Sequence, residues 1–160
     1  MTTRQSLAAR KQRATRHAVQ TRALYRYEGT RFRDSHLLKV RSIKELRRLT
    51  ARIWQAEKTA RPDAAPAIIA GRGVYQSGRW LSYCEGRAKI VLARHERNIL
   101  VLIHELTHAI GFTHHGTAFR ERYFGLLRRY AGRLSRDTRA ALKVDLSTLT
   151  APLLKKKRAS

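Results

Sequence analysis

The sequence predicts an α+β fold, in which a small antiparallel sheet packs with an apolar helix and with a second helix that carries His-Glu-Leu-Thr-His. Three observations support this prediction. Residues 43–60 repeat apolar side chains at helical spacing, residues 67–92 hold short apolar runs separated by glycines, and residues 98–130 return to helical spacing. The order helix, sheet, helix, helix is typical of α+β domains.

The first core helix is predicted at about residues 43–60. Ser42 is followed three residues later by Glu45, which is the pattern of a capping box. Pro62 lies just beyond the predicted end. The apolar side chains of this segment recur on one face of a helix: Ile43, Leu46, Leu49, Ile53 and Trp54.

Three short apolar runs follow, at residues 67–70, 79–84 and 88–92. Glycines at 71, 73, 78 and 86 separate them, as glycines do in hairpin loops. We therefore expect an antiparallel sheet or meander. Trp80 lies in the second run, where a core position fits the pattern better than a base-stacking role.

Two further helices follow the strands, and a third is predicted near the end of the chain. Asn98 can cap the first of them, and Gly111 is a natural stop. Thr117 can cap the next, which ends near Gly132. The last spans residues 135–149.

The length of 160 residues suits one compact domain with appendages. Residues 1–35 are basic and lack a sustained apolar period, so we expect a flexible arm. The domain then covers residues 36–150, and residues 151–160 form a second basic tail.

The charge is strongly one-sided, with 35 Lys and Arg against 11 acids and a formal net charge of +24. Self-repulsion of this size is relieved when a polyanion neutralises it, so nucleic acid is the first partner to consider. No DNA- or RNA-recognition motif occurs in the sequence. We therefore expect contact with DNA that is largely independent of base sequence.

Cysteine occurs once, as Cys84, which favours a reducing intracellular compartment such as the cytoplasm or the nucleoid. The longest apolar run is five residues, at 99–103, which is too short for a membrane span. The Arg-rich N-terminus is also compatible with a mitochondrial transit peptide.

The segment His104-Glu105-Leu106-Thr107-His108 carries the predicted chemistry. Residues four apart share one helix face, so both imidazoles can reach one metal ion. Zinc held by three protein ligands activates a water molecule, and Glu105 is placed to take the proton from that water as a general base. We expect a Zn²⁺ site and hydrolysis, most naturally of peptide bonds.

The third ligand has several candidates. His114 completes the pattern H-E-x-x-H-x-x-G-x-x-H of metzincins, but those enzymes need a methionine turn, and the single methionine here is Met1. His115 is adjacent and opens an H-G-x-x-F segment that ends at Phe119. Cys84 is a third candidate, as in peptide deformylases, although its sequence context does not match theirs.

With these motifs, residues 38–130 resemble the SprT-like (Spartan-like) zinc metallopeptidases. In that family a helix and a small sheet precede H-E-x-x-H, and an H-G-x-x-F or H-G-x-x-W segment supplies the third histidine. The resemblance implies a zincin-like fold, with His104, His108 and His115 as zinc ligands and Glu105 as the catalytic residue. It also suggests proteins bound to DNA as substrates. The short segment between His108 and His115 and the lack of a zinc ribbon depart from some members.

Two other functions remain as alternatives. In one, the protein is a basic nucleic-acid-binding protein with a structural or relic zinc site. In the other, it is a zinc amidase that does not act on proteins, because the same chemistry serves any amide. The sequence offers several candidate donors for a transition-state oxyanion without selecting among them: Tyr75, Tyr83, Tyr123, Arg79 and Arg120.

Overall fold

The computed structural model describes residues 2–33, 35–57, 64–76 and 78–132, with only the backbone for residues 2–11 and 16. These residues form a mixed α and β structure. Its helices are α1 (Thr2–Arg31), α2 (Ile43–Ala56), α3 (Ile99–Ile110) and α4 (Thr117–Tyr130). Its strands are β1 (Ala67–Gly71), β2 (Val74–Gln76), β3 (Arg79–Leu81), β4 (Tyr83–Glu85) and β5 (Lys89–Ala93). The helix predicted at residues 135–149 and the basic tail at residues 151–160 lie outside the described residues.

Helices α2 and α3 follow their sequence signals. Ser42 and Glu45 form the capping box at the start of α2, each side chain bonded to the backbone of the other residue. The side-chain oxygen of Asn98 accepts a hydrogen bond from the Val101 N–H and so caps α3. Helix α4 differs in detail, because it begins at Thr117 itself and Gly116 occupies the capping position.

The sheet is not the antiparallel meander that we predicted. Its strand order is β1-β5-β4, with β5 parallel to β1 and antiparallel to β4. Strands β2 and β3 form a separate antiparallel hairpin. The prediction was wrong for β1. After β1 the chain forms this hairpin and then β4, and only afterwards does β5 pair with β1, running in the same direction.

Ser82 divides the segment that we predicted as one strand at residues 79–84. Its backbone N–H donates to the Glu96 carboxylate, and its hydroxyl oxygen accepts a hydrogen bond from the Ala93 N–H. Strand β3 therefore ends before Ser82, and β4 begins after it. In the hairpin, Tyr75 and Trp80 are in ring contact and both are exposed, so the core position predicted for Trp80 was wrong.

The hydrophobic core lies around α3, which contacts α2, α4 and the sheet. Its large buried side chains come from α2, α3, α4, β5 and the segment after α1: Phe32, Ile53, Ile90, Leu102, Ile103, Phe119, Tyr123 and Phe124. Because α3 is surrounded, the residues at its centre are held in fixed positions. None of the helices within the described residues is both long enough and apolar enough to span a membrane.

Helix α1 replaces the flexible arm that we predicted for residues 1–35. Its C-terminal half is attached to the core, because Leu24 is fully buried and Tyr27 packs against the ring of Phe124. Phe32, just beyond the helix, is also fully buried. Burying two large apolar side chains stabilises the attachment by about 3–6 kcal/mol in total, before the entropy of ordering the helix is subtracted.

Candidate metal centre

Three histidines meet at one point between α3 and the start of α4. His104 and His108 lie one turn apart on α3, and His115 lies in the loop that connects the two helices. The Nε2 atoms of His104 and His108 are 2.9 and 3.2 Å from the Nε2 atom of His115. One nitrogen from each of the three rings lies within 4.8 Å of the others, so the three histidines could hold a metal ion.

A tight turn after α3 brings His115 back to the other two histidines. Gly111 ends the helix with a φ of +125°, a backbone conformation that side chains other than hydrogen rarely allow. Its N–H donates to the carbonyls of Thr107 and His108. The chain therefore reverses within the six residues between His108 and His115.

The adjacent candidate, His114, faces a different neighbour. It is exposed, and its ring stacks on His17 of α1 with the ring centroids 4.1 Å apart. It is not part of the histidine cluster. Of the two adjacent histidines, the structure thus brings His115 to the predicted pair.

Each of the three rings also has a partner at its other nitrogen. His104 Nδ1 lies 3.1 Å from Glu28 Oε1, His108 Nδ1 lies 2.6 Å from the Phe112 carbonyl oxygen, and His115 Nδ1 lies 3.0 Å from Thr21 Oγ1. A carbonyl or a carboxylate can only accept, so the Nδ1 atoms of His104 and His108 must carry the hydrogen. The Nε2 lone pairs of those two rings then point toward His115, and converging lone pairs are stabilised by a cation.

The pKa values of His108 and His115 fit this arrangement. Burial, with the charge of His104, lowers the pKa of His108 to about 4 and that of His115 to about 3. Both rings are therefore neutral at pH 7, which is the form that binds metal. Burial opposes a positive charge on His104, but the charge of Glu28 and its hydrogen bond outweigh burial and raise the pKa of His104.

Phe119 forms the apolar floor of the cluster. It is 1% exposed, and its ring centroid is 5.1, 4.6 and 4.8 Å from those of His104, His108 and His115. Phe119 is thus a packing residue of the cluster. An apolar floor excludes water from that side of the site.

Glu105 lies next to the cluster at the wall of a pocket of about 370 Å³. Its side chain is 8% exposed. Burial raises its pKa to about 7, and the charges of Glu96 and Glu28 act in the same direction. The charge of His104 and a hydrogen bond from the Cys84 backbone oppose the rise. A carboxyl group with a pKa near neutrality can both accept and release a proton.

The pocket lies between α1, the β2–β3 hairpin and α3. Of the five oxyanion-donor candidates, Arg79 and Tyr83 are among its lining residues. The other three lie elsewhere: Tyr75 is exposed on the hairpin, Tyr123 is buried beside His104, and Arg120 donates to the Gln20 carbonyl of α1.

Cys84 is not in the histidine cluster. Its thiol donates to the Gly86 carbonyl oxygen, and burial raises its pKa to about 12. The alternative of a cysteine ligand loses its support.

Sequence reasoning missed the three residues that α1 contributes to the site. Besides Thr21 and Glu28, Tyr25 stacks on His104 with ring centroids 5.5 Å apart and lines the pocket. Burial, with the charges of Glu105 and Glu28, raises the pKa of Tyr25 to about 12, so its phenol keeps its proton. One signal was present in the sequence: Glu28 is the single acid among the first 33 residues.

A scan of protein-family models, a search of curated proteins and a search of solved structures each found no match to this chain.

Proposed function

We propose that this protein is a zinc-dependent metallopeptidase of SprT-like type, with His104, His108 and His115 as ligands and Glu105 as the general base. The observation that carries the proposal is the convergence of three imidazole Nε2 atoms beside a buried glutamate that lines an open pocket. Three protein ligands and one open position are the usual arrangement of catalytic zinc.

The donor set supports zinc as the metal. All three ligand atoms are imidazole nitrogens, which suit zinc as well as copper, iron and nickel. The Nε2 atoms of His104 and His108 lie 2.9 and 3.2 Å from that of His115, so the three rings would hold one ion between them with little movement.

The chain's own residues have distinct tasks in hydrolysis. Zinc, when bound, lowers the pKa of a water molecule toward ~7 and polarises the scissile carbonyl. Glu105 accepts the proton of the attacking water and passes it to the leaving amine. Arg79, Tyr83 and Tyr25 line the same pocket and are the candidates to donate hydrogen bonds to the oxygen that gains negative charge.

The experiment that tests this function is removal and return of the metal. The purified protein is expected to hold about one zinc by elemental analysis and to cleave casein. A chelator should abolish cleavage, and added zinc should restore it. Hydrolysis of small amides without cleavage of casein would indicate an amidase. A protein that neither holds nor takes up zinc would favour the alternative of a basic nucleic-acid-binding protein.

We also propose that DNA is a partner and that it is bound without base specificity. The described part of α1 presents exposed arginines that do not line the pocket, and α2 adds further exposed basic side chains. These residues are Arg13, Arg22, Arg26, Arg31, Lys44, Arg48 and Arg52. Phosphate contacts from such a surface bring the enzyme to nucleic acid or to proteins bound on it.

Salt dependence tests the DNA contact. We expect log K for an oligonucleotide to fall linearly with log salt, at about −0.9 per phosphate contacted. Replacing both Arg22 and Arg26 by alanine should reduce the slope by roughly 2. Lys89, already paired with Glu85, provides the control, and Lys89→Ala should leave the slope unchanged. Equal slopes for the double variant and the wild type would remove α1 from the DNA contact.

A further inference from the structure

We propose that helix α1 is part of the metal centre, and that Thr21 and Glu28 are positioning residues for His115 and His104. Metal binding and the attachment of α1 to the core then stabilise one another. This inference rests on the proposed zinc site and adds a property of that site, namely its dependence on the N-terminal helix.

The first support is that one face of α1 is directed at the histidines over three successive turns. His17 stacks on His114, Thr21 bonds to His115, and Tyr25 stacks on His104. Glu28 completes the series with its bond to His104. Steps of four, four and three residues place all four side chains on one helix face.

The second support is that two of the three imidazoles depend on α1 for their orientation. An imidazole has two ring nitrogens, and the partner of one nitrogen decides whether the other has a free lone pair. The carboxylate of Glu28 accepts from His104 Nδ1 and leaves its Nε2 lone pair for a metal. The Thr21 hydroxyl is bonded to Nδ1 of His115, and it would accept from that nitrogen when Nε2 holds a metal. His108, by contrast, is oriented by the Phe112 carbonyl, which lies in the loop after its own helix.

The third support is the charge and burial of Glu28. Its side chain is 12% exposed in a segment that is otherwise strongly basic, and it lies against a histidine that is 4% exposed. A carboxylate bonded to a metal-binding imidazole increases the basicity of the ring and contributes negative charge beside the cation. A divalent metal carries more positive charge than a protonated His104, so a bound metal would in turn stabilise Glu28 in place.

Metal binding by the histidines and attachment of α1 to the core are therefore thermodynamically linked, although α1 and the histidines are far apart in the sequence. If α1 raises the affinity for the metal, the metal must favour the attached state of α1 by the same factor. The polar contacts lie on the half of α1 that Leu24 attaches to the core, and Arg120 adds a bond from α4 to the Gln20 carbonyl. The N-terminal part of the same helix precedes these contacts, so a ligand that bound there more tightly in the attached state would favour metal binding as well.

The test measures zinc affinity by competition with a chromogenic chelator on the full chain. Glu28→Gln and Thr21→Val are each expected to weaken zinc binding about 10–100-fold, the usual effect of removing a partner of a metal-binding histidine. Thr21→Ser, which keeps the hydroxyl, should restore most of the affinity. Thr30→Val is the matched control, because Thr30 is exposed on the same helix and bonds to the Arg26 carbonyl within it. It should bind zinc like the wild type.

A second readout follows α1 itself. Amide hydrogen exchange of residues 17–31 should slow when zinc is added to the wild type and should not respond to zinc in His115→Ala. The inference is overturned if the wild type binds zinc while Glu28→Gln and Thr21→Val bind it within about threefold of the wild type. It is equally overturned if zinc leaves the exchange of residues 17–31 unchanged. Failure of the wild type to bind zinc would instead refute the zinc site itself, and this inference with it.

Discussion

Replacing Glu105 by glutamine is expected to lower the rate of casein cleavage by roughly 10²–10⁴-fold while the protein keeps its zinc. Glutamine has nearly the same shape as glutamate and cannot accept a proton at neutral pH. Glu105 lies at the wall of the pocket and outside the histidine cluster, so the change should remove the proton acceptor and leave the ligands in place. Elemental analysis and initial rates on the same preparation measure both quantities.

Glu121 provides the matched control for this substitution. It is a glutamate exposed on α4 and lies outside the pocket that contains Glu105. Glu121→Gln should therefore cleave casein at the wild-type rate. Cleavage by Glu105→Gln within about threefold of the wild type would show that Glu105 is not the general base. Loss of zinc together with cleavage would show that Glu105 acts on the site through the metal ligands.

The sequence predicted those parts of the site whose positions depend only on residues close by in the chain. His104, Glu105 and His108 lie within one helix, where the spacing of residues determines which face they share. The capping side chains of Ser42 and Asn98 likewise act within three residues of their targets. Local geometry of this kind can be predicted from the order of the residues alone.

The role of α1 could not be predicted in the same way. The face of α1 that meets the site is polar at His17, Thr21 and Glu28, so a search for apolar periodicity does not find it. Its partners lie on α3 and in the loop before α4, more than seventy residues further along the chain. Only the folded chain brings these groups together.

The sheet was mispredicted for a related reason. Alternating apolar residues indicate that a strand exists, but they do not determine which strand lies beside it or in which direction. The parallel pairing of β1 with β5 requires the intervening hairpin to leave the sheet, and the exposed Trp80 lies on that hairpin. The apolar run around Trp80 predicts a core position, because the sequence pattern does not show that the hairpin is separate from the sheet.

The choice between His114 and His115 depended partly on local sequence and partly on the folded structure. Both are close enough in sequence to reach the metal, and the resemblance of the H-G-x-x-F segment favoured His115. The structure adds a physical basis, because His115 Nε2 meets the other two rings while His114 stacks on His17.

Replacing His115 by alanine is accordingly expected to weaken zinc binding by about 10²–10³-fold or more. A structural zinc site in a peptide is worth about 10–16 kcal/mol, and one ligand of several accounts for a few kcal/mol of a value of this order. Each 1.4 kcal/mol corresponds to a tenfold change in affinity. Because the proposed hydrolysis needs the metal, casein cleavage should fall with zinc occupancy. Competition with a chelator measures the affinity, and elemental analysis measures the occupancy.

His114→Ala is the control, since it removes an imidazole one residue away that lies outside the cluster. It should keep about one zinc and most of the cleavage activity, with at most a small loss from the stacking contact with His17. The reverse result, with zinc lost in His114→Ala and kept in His115→Ala, would assign the third ligand to His114. That assignment would require the loop after Gly111 to turn differently. Loss of zinc in both variants, with the fold intact by circular dichroism, would mean that the loop as a whole, and not one imidazole, holds the metal.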